Sequence, residues 1–311
     1  PEAPDVINEL RQAGHPVQFI TNNASRSPED VAAHLTALGL RTTAGEVITS
    51  GQAAVALLAA ALPPGSAVLF VGTEALAGAL RSAGLRPVTA VSEQPVAVVQ
   101  GHSPETGWAR LAEACLAIRG GAMWVACNID RTLPTERGLL PGNGAMVAAL
   151  RTATDREPAV AGKPGRALLD TAMGRTGARR PLAVGDRLDT DIAGARAAGL
   201  DSLLVLSGVD DAPALLAAPP GQRPSHLGAD LRVFREPLER ARIQQRPGWR
   251  IERDRDGLLL RGDGPGGDPL DAVRTLCAVW WAGQAGSVRV RAGDDSAAAA
   301  LGTVGLGETS R

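Results

Sequence analysis

Short apolar runs alternate along residues 1–236 with longer segments in which apolar side chains recur every three or four positions. Runs such as Val17–Thr21 (VQFIT) and Ala67–Val71 (AVLFV) predict buried strands of a parallel sheet. The longer segments predict helices that begin at capping residues and end at glycines. Ser27-Pro28 with Asp30, for example, has the pattern of a helix N-terminus with a capping box. This alternation predicts an α/β fold with a doubly wound parallel sheet.

Two later segments have signals of their own. Asn128–Gly144 contains two prolines and three glycines and is predicted to be a loop. Lys163-Pro164 is predicted to open a helix that continues through Met173.

The pattern is interrupted at Pro63-Pro64-Gly65 and changes its character after residue 236. There the charged segment Arg250–Arg261 predicts a hairpin around Asp256-Gly257. An apolar helix (Leu270–Trp281) and a strand (Ser287–Arg291) are predicted to follow. These elements form a small α+β appendage. A lone core of this size is marginal, so we expect the appendage to pack on the rest of the chain.

Composition excludes several classes of protein. The 311 residues carry a formal net charge of −1, which argues against binding to a nucleic-acid backbone. The run Ala53–Leu62 is shorter than the roughly 18 apolar residues needed to span a bilayer, so no membrane partner is expected. The start of the chain lacks a secretory signal pattern, and the three cysteines form no CxxC pair. We therefore expect a cytoplasmic protein, and the sequence leaves its oligomeric state open.

Among 32 basic residues the sequence has a single lysine, Lys163, and every other one is arginine. The codon composition of a GC-rich genome favours arginine at every position where a positive charge is sufficient. A surviving lysine then marks a position at which a compact point charge is needed and a wide planar guanidinium does not fit. The same residue does not belong to a P-loop, because Pro164 follows it where Ser or Thr is required.

Polar residues follow three predicted strands: Thr21, Asn22 and Asn23 after VQFI, Lys163 after Ala159–Val160, and Asp186 and Asp191 after PLAV. Ligands of open α/β sheets bind beyond the carboxyl ends of the strands. A hydroxyl, backbone N–H groups and a lysine suit phosphate oxygens, and carboxylates are the ligands that Mg²⁺ prefers. Together these groups could form a phosphoryl-transfer site.

Each of these residues also has a purely structural explanation. Thr21 and Asn22 could simply form a turn, and Asp186 could be a solvated loop acid. One of Asp189, Thr190 and Asp191 is expected to be the N-cap of the following helix. The signal for a phosphoryl-transfer site is specific only when three motifs occur in order. These are a strand-end threonine, then Gly-Lys-Pro, and then Gly-Asp with a second aspartate five residues later.

That ordered set, ITNNASRS, AGKPG and VGDRLDTDI, resembles the haloacid dehalogenase superfamily of phosphatases. The intervening WVACNID and LLPGNGAMVAAL are similar to the large α/β (C2-type) cap of subfamily IIA, which lies between the second and third motifs. The whole chain is similar to those members that carry a C-terminal fragment related to the GNAT acetyltransferase fold.

The resemblance implies a Rossmann-like core, an inserted cap and a GNAT-like appendage. The expected division is a first part of the core at 1–64 without its first strand, a cap at 65–157, a second part of the core at 158–236 and the appendage at 237–311. The appendage lacks an acyl-CoA loop pattern, so a regulatory or structural role is expected for it.

The resemblance also implies site residues. Thr21, Asn22 and Asn23 would bind the substrate phosphate, and Lys163 would neutralise charge on the nucleophile and the phosphoryl group. Asp186 would ligate Mg²⁺, with Asp191 supporting the metal shell or Lys163. The cap loop would choose the substrate through residues Asn128, Asp130 and Arg137. The implied activity is Mg²⁺-dependent hydrolysis of a small phosphorylated metabolite, glycerol 3-phosphate above all.

One family feature is missing from the printed residues. The first motif of the family is Asp-x-Asp on the first strand, where the first aspartate forms an aspartyl-phosphate; Pro1–Leu10 instead aligns with the helix after that strand. The expectation from sequence is an enzyme whose nucleophile is missing because the chain is truncated at its N-terminus. The alternative is a catalytically inactive homologue that binds phosphate or regulates another protein.

Overall fold

In the computed structural model, short strands alternate with helices as the sequence pattern predicts, and the α/β fold is confirmed. The structure describes residues 2–254, 257–264 and 267–307. The helices are α1 (Ala3–Gln12), α2 (Pro28–Ala37), α3 (Ser50–Ala61), α4 (Glu74–Ser82), α5 (Trp108–Arg119), α6 (Asn143–Thr154), α7 (Ala167–Thr176), α8 (Ala193–Ala197), α9 (Ala212–Leu216), α10 (Pro269–Trp281) and α11 (Asp295–Thr303).

The strands are β1 (Phe19–Thr21), β2 (Val47–Thr49), β3 (Ala67–Val71), β4 (Arg86–Val88), β5 (Ala97–Gln100), β6 (Met123–Ala126), β7 (Thr132–Thr135), β8 (Gly138–Pro141), β9 (Ala159–Val160), β10 (Leu182–Gly185), β11 (Asp201–Val205), β12 (His226–Gly228), β13 (Trp249–Asp254), β14 (Gly257–Gly262) and β15 (Val290–Ala292). The helices and strands belong to two units, a middle unit (His15–Gly177) and a terminal unit (Pro1–Gly14 with Ala178–Arg311).

The middle unit is built on a five-stranded parallel sheet in the order β4-β3-β5-β6-β9. Alternate residues of its central strands enter two different hydrophobic clusters. In β3, Val68 belongs to one cluster and Leu69 to the other, and both are at most 1% exposed. Because both faces are covered, these strands appear in the sequence as continuous apolar runs. The middle unit also contains a parallel pair, β1-β2, and an antiparallel hairpin, β7-β8.

Helices α2 and α3 of the middle unit begin at capping boxes. The Ser27 hydroxyl accepts a hydrogen bond from the Asp30 N–H at 3.1 Å, and the Asp30 carboxylate accepts one from the Ser27 N–H at 3.2 Å. The capping box of α2 is therefore confirmed. Thr49, the last residue of β2, caps α3 in the same way together with Gln52. Each box satisfies backbone N–H groups that the first helical turn leaves without a partner.

The terminal unit contains a three-stranded parallel sheet, β10-β11-β12, and the mixed sheet β13-β14-β15 of the appendage. One hydrophobic cluster spans both parts. It joins Leu204 of β11 and Leu227 of β12 to Leu258, Leu260 and Leu276 of the appendage, all fully buried. The expected packing of the appendage on the preceding segment is therefore confirmed. The two parts share one hydrophobic core.

Buried polar contacts reinforce this shared core. Arg274 on α10 is 5% exposed, and its guanidinium donates to the Leu227 carbonyl on β12 at 2.8 Å. It also pairs with Asp271 at 2.6 Å, so its charge is compensated. Arg223 donates to the carbonyl of Trp281, at the end of α10, at 3.2 Å, and its guanidinium lies over the Trp281 ring at 5.2 Å.

Several sequence predictions need correction. The segment 128–144 was expected to be a loop, but it contains the β7-β8 hairpin. The helix expected to open at Lys163-Pro164 begins only at Ala167, because Gly165 N–H closes a turn onto the Gly162 carbonyl at 2.9 Å. The Arg250–Arg261 hairpin is confirmed by the β13-β14 pairing, while its predicted turn residue Asp256 lies outside the described residues.

The four-part domain division stays a prediction. The short strand β9, which the division assigns to the second part of the core, pairs with β6 in the five-stranded sheet. In the described ranges, the structure has no helix long and apolar enough to cross a bilayer.

Candidate active site

The chain makes a tight side-chain-stabilised turn directly after β1. The Thr21 hydroxyl accepts a hydrogen bond from the Asn23 N–H at 3.1 Å. The Asn23 side-chain oxygen accepts from both the N–H and the hydroxyl of Ser25, at 2.8 and 2.7 Å. The structural explanation of these residues as a turn is therefore correct, because Thr and Asn side chains close turns in this way.

The side chain of Asn22 connects this turn to two distant loops. Its Oδ1 accepts the Lys163 N–H at 2.8 Å, and its Nδ2 donates to the Lys163 carbonyl at 3.1 Å. The same Nδ2 lies 3.2 Å from each carboxylate oxygen of Asp130. A β-carbon on Gly162 would come within 2.7 Å of Asn22 Oδ1, so the close approach requires glycine there. We call Thr21, Asn22, Asn23, Asp130 and Lys163 the lysine-bearing group.

Buried asparagines support the cap-loop side of this group. Asn128 is 4% exposed; its Nδ2 donates to the Asn22 carbonyl at 2.7 Å and its Oδ1 accepts the Asp130 N–H at 3.2 Å. Asn143, at the start of α6, donates to the Asn128 carbonyl at 2.7 Å. The structure thus brings Asn128 and Asp130 to Asn22, whereas Arg137 lies in the exposed turn of the β7-β8 hairpin.

The terminal unit holds the two other predicted site residues in the loop 185–191, which we call the aspartate loop. Asp191 Oδ2 accepts the N–H groups of Asp186 and Arg187, at 3.3 and 3.2 Å. Asp191 is therefore not the N-cap of the following helix: Leu188–Ile192 form a π-helical turn that leads into α8, and the carboxylate folds back to close the loop. This corrects the capping expectation, and neither Asp189 nor Thr190 takes that place, since the residue before α8 is Ile192.

Sequence reasoning missed Asp210. Its carboxylate accepts the Leu188 N–H at 2.6 Å, and its own N–H donates to the Asp186 carbonyl at 3.0 Å. The neighbouring Val209 N–H donates to Asp186 Oδ2 at 3.0 Å. The sequence contained a signal for Asp210. Gly208-Val209-Asp210 follows a strand, β11, just as the other candidate residues follow strands.

The aspartate loop fits a magnesium ion in its donor chemistry. Mg²⁺ keeps several waters and is usually bound through one or two carboxylates, so a dedicated cage is not required. Within 2–254, 257–264 and 267–307, no group of three or more His, Cys, Asp or Glu side chains is arranged for a metal. The Asp186 carboxylate is half-buried and oriented through one oxygen by Val209, which suits a single metal ligand.

A cysteine next to the lysine-bearing group is not a candidate nucleophile. Cys127 is completely buried at the end of β6, and its carbonyl lies against Gly162. Burial raises the pKa of the Cys127 thiol to about 12. The thiol is therefore protonated near neutral pH, and it is the thiolate that acts as a nucleophile.

Comparison with known proteins defines the class. Residues 1–86 match the haloacid dehalogenase-like hydrolases, residues 160–233 match the related HAD-hydrolase-like family, and residues 246–306 match the GCN5-related N-acetyltransferase-like domain. The chain belongs to the haloacid dehalogenase-like hydrolases and carries a GNAT-like region at its C-terminal side. The resemblance inferred from the motifs is confirmed.

Individual relatives narrow the comparison. The chain is 49% identical over 306 residues to a D-glycerol 3-phosphate phosphatase of Mycobacterium tuberculosis, covering 95% of this chain and 87% of that one. It is 37% identical to a 5′-nucleotidase of Bacillus subtilis, over 67% of this chain and 80% of the relative. A crystal structure of the M. tuberculosis glycerol phosphate phosphatase in complex with magnesium is similar with a TM-score of 0.94 at 50% identity, covering 98% of this chain and 91% of that chain.

Proposed function

We propose that this protein is a Mg²⁺-dependent phosphomonoesterase that hydrolyses glycerol 3-phosphate to glycerol and inorganic phosphate. The observation that carries the proposal is the pairing of both main-chain groups of Lys163 with the side chain of Asn22, directly after β1. The similarity to a D-glycerol 3-phosphate phosphatase, and to a relative crystallised with magnesium, supports the substrate and the metal.

In this proposal Lys163 neutralises negative charge on the phosphoryl group. Its ammonium is a compact point charge, and phosphoryl transfer depends mainly on positioning and on charge stabilisation. Thr21, Asn22 and Asn23 bind the substrate phosphate. For Asn22 we assign this contact to the backbone N–H, since its side chain is engaged with Lys163 and Asp130.

Asp186 is the proposed ligand of Mg²⁺, which when bound would neutralise phosphate charge. Asp191 holds the backbone of Asp186 and Arg187 in the loop and so acts as a positioning residue. Asn128 and Asp130 connect the cap loop to Asn22 and are the proposed determinants of substrate choice.

The proposed nucleophile is an aspartate of the family's first motif. The family resemblance implies attack on phosphorus by an aspartate, release of the alcohol and hydrolysis of the aspartyl-phosphate by water. Residues 1–18 precede β1, include α1 and contain no Asp-x-Asp. We propose that hydrolysis follows this aspartyl-phosphate route.

A substrate panel tests the proposal. The protein is expressed from its complete reading frame, and phosphate release is measured for glycerol 3-phosphate, p-nitrophenyl phosphate, a sugar phosphate and a 5′-nucleotide. We expect the highest kcat/KM for glycerol 3-phosphate, with activity lost in EDTA and restored by Mg²⁺. A preference for the nucleotide would overturn the substrate assignment, and binding of phosphate without turnover would favour the non-catalytic alternative.

A further inference from the structure

The loop after β11 holds the segment from Asp186 to Leu188 through three hydrogen bonds, two of them to Asp186 itself. The Val209 N–H binds Asp186 Oδ2 at 3.0 Å, and the Asp210 N–H binds the Asp186 carbonyl at 3.0 Å. The Asp210 carboxylate in turn accepts the Leu188 N–H at 2.6 Å. The side chain and the backbone around Asp186 are thus held from a neighbouring strand as well as by Asp191.

Gly208 provides the space for this arrangement. A β-carbon at Gly208 would overlap Oδ2, Cβ and Cγ of Asp186. Gly208 does not have a positive φ, so its backbone conformation alone does not require glycine. The close approach of Asp186 does, because the β-carbon of a Gly208→Ala variant would displace Asp186, its Cβ included.

We propose that Gly208 and Asp210 are positioning residues that set the affinity of the protein for Mg²⁺ by fixing the carboxylate of Asp186. This inference rests on the proposed role of Asp186 as a metal ligand. Removal of a side chain that orients a metal ligand weakens metal binding by about 10- to 100-fold. The loop after β11 thus belongs to the metal site although neither residue need touch the ion.

The variants separate the two contributions. Asp210→Ala removes the acceptor for the Leu188 N–H, whereas Asp210→Asn keeps an oxygen that can accept it. Gly208→Ala keeps the Asp210 carboxylate and displaces Asp186. Asp211→Ala is the matched control: it removes the same charge one residue away, where the carboxylate caps α9 through the Ala214 N–H at 2.9 Å.

The experiment is a calorimetric titration of the full-length protein with Mg²⁺, together with urea unfolding to verify that each variant is folded. We expect Asp210→Ala and Gly208→Ala to weaken Mg²⁺ binding about tenfold or more. Asp210→Asn should retain most of the affinity, and Asp211→Ala should bind as the wild type does.

The outcomes distinguish this inference from the proposed function. If Asp186→Asn abolishes Mg²⁺ binding while Asp210→Ala and Gly208→Ala keep the wild-type affinity, the positioning inference is overturned and the metal assignment stands. If Asp186→Asn binds Mg²⁺ normally, the proposed metal ligand is wrong and the inference falls with it. Equal weakening by Asp210→Ala and Asp211→Ala would also overturn it, because charge alone would then account for the loss.

Discussion

The side chain of Asn22 accepts the backbone N–H of Lys163 at 2.8 Å and donates to the carbonyl oxygen of the same residue at 3.1 Å. The two residues are 141 positions apart in the sequence. A carboxamide has both the acceptor and the donor that this pairing needs, whereas a carboxylate has acceptors only. Asn22 thereby determines where the main chain at the only lysine of the sequence lies.

Replacement of Asn22 by aspartate should be more damaging than replacement by serine. Asn22→Asp places a carboxylate oxygen against the Lys163 carbonyl and the Asp130 carboxylate, and both interactions are repulsive. We expect kcat for glycerol 3-phosphate to fall about 100-fold or more, and to fall further than with Asn22→Ser. Steady-state kinetics of the two variants test this. Equal kcat in Asn22→Asp and wild type would contradict a positioning role for the carboxamide.

Lysine at position 163 should not be replaceable by arginine. A guanidinium is wider, planar and more weakly hydrated than an ammonium, so it does not reproduce a point charge at the same place. We expect Lys163→Arg to reduce kcat by about 100-fold, a typical loss when one charge-stabilising group is removed.

Arg166→Lys is the control for that substitution, since Arg166 is exposed and pairs with Asp170 at 2.7 Å on the surface. Surface ion pairs contribute little, so its kinetics should match those of the wild type. Turnover by Lys163→Arg at the rate of the control would remove the proposed role of Lys163.

The shared core of the terminal unit predicts that a substitution in the appendage weakens the preceding sheet. Leu260→Ala on β14 removes a fully buried side chain from the cluster that also contains Leu204 of β11. The free energy of unfolding should fall by about 2–5 kcal/mol. Hydrogen exchange of the β11 amides should accelerate together with that of β14.

Leu139→Ala in the β7-β8 hairpin is a matched control, because Leu139 is 70% exposed. It should change the free energy of unfolding by less than about 0.5 kcal/mol. Protection of β11 that is unaffected by Leu260→Ala would show that the appendage unfolds separately.

His226 on β12 predicts a pH dependence of stability. Burial lowers the pKa of His226 below its usual value of 6.5, against the opposing effect of its hydrogen bond to the Ser202 carbonyl. The unfolded chain therefore binds a proton at a higher pH than the folded one, and stability is lost as pH falls below about 6.5. Urea unfolding between pH 8 and pH 5 should show a smaller loss for His226→Gln than for wild type. Identical pH profiles would contradict this.

The sequence predicted those elements whose determinants are local. The capping box at Ser27 and Asp30 and the apolar strand Ala67–Val71 depend on neighbouring residues, and both are present as predicted. The β7-β8 hairpin was missed because its Pro- and Gly-rich strands are exposed on both faces and have no apolar alternation.

The sequence was sufficient to predict which residues form the candidate site, but not which contacts they make. The positions of Asn22 and Lys163 after strands could be predicted from the apolar runs that precede them. Their pairing was not, since it depends on a hydrogen bond across 141 residues. In the same way, one of Asp189, Thr190 and Asp191 was expected to cap the following helix, but the Asp191 carboxylate instead accepts the Asp186 N–H and closes the loop. That contact depends on the folded backbone.

The most direct test of the account is the Mg²⁺-dependent release of phosphate from glycerol 3-phosphate by the full-length protein and its Asp186→Asn variant. We predict turnover by the wild type that rises with Mg²⁺ concentration and saturates. For Asp186→Asn we predict a loss of at least about 100-fold at any Mg²⁺ concentration. Wild-type turnover that does not require Mg²⁺, or an Asp186→Asn variant with undiminished activity, would contradict the account.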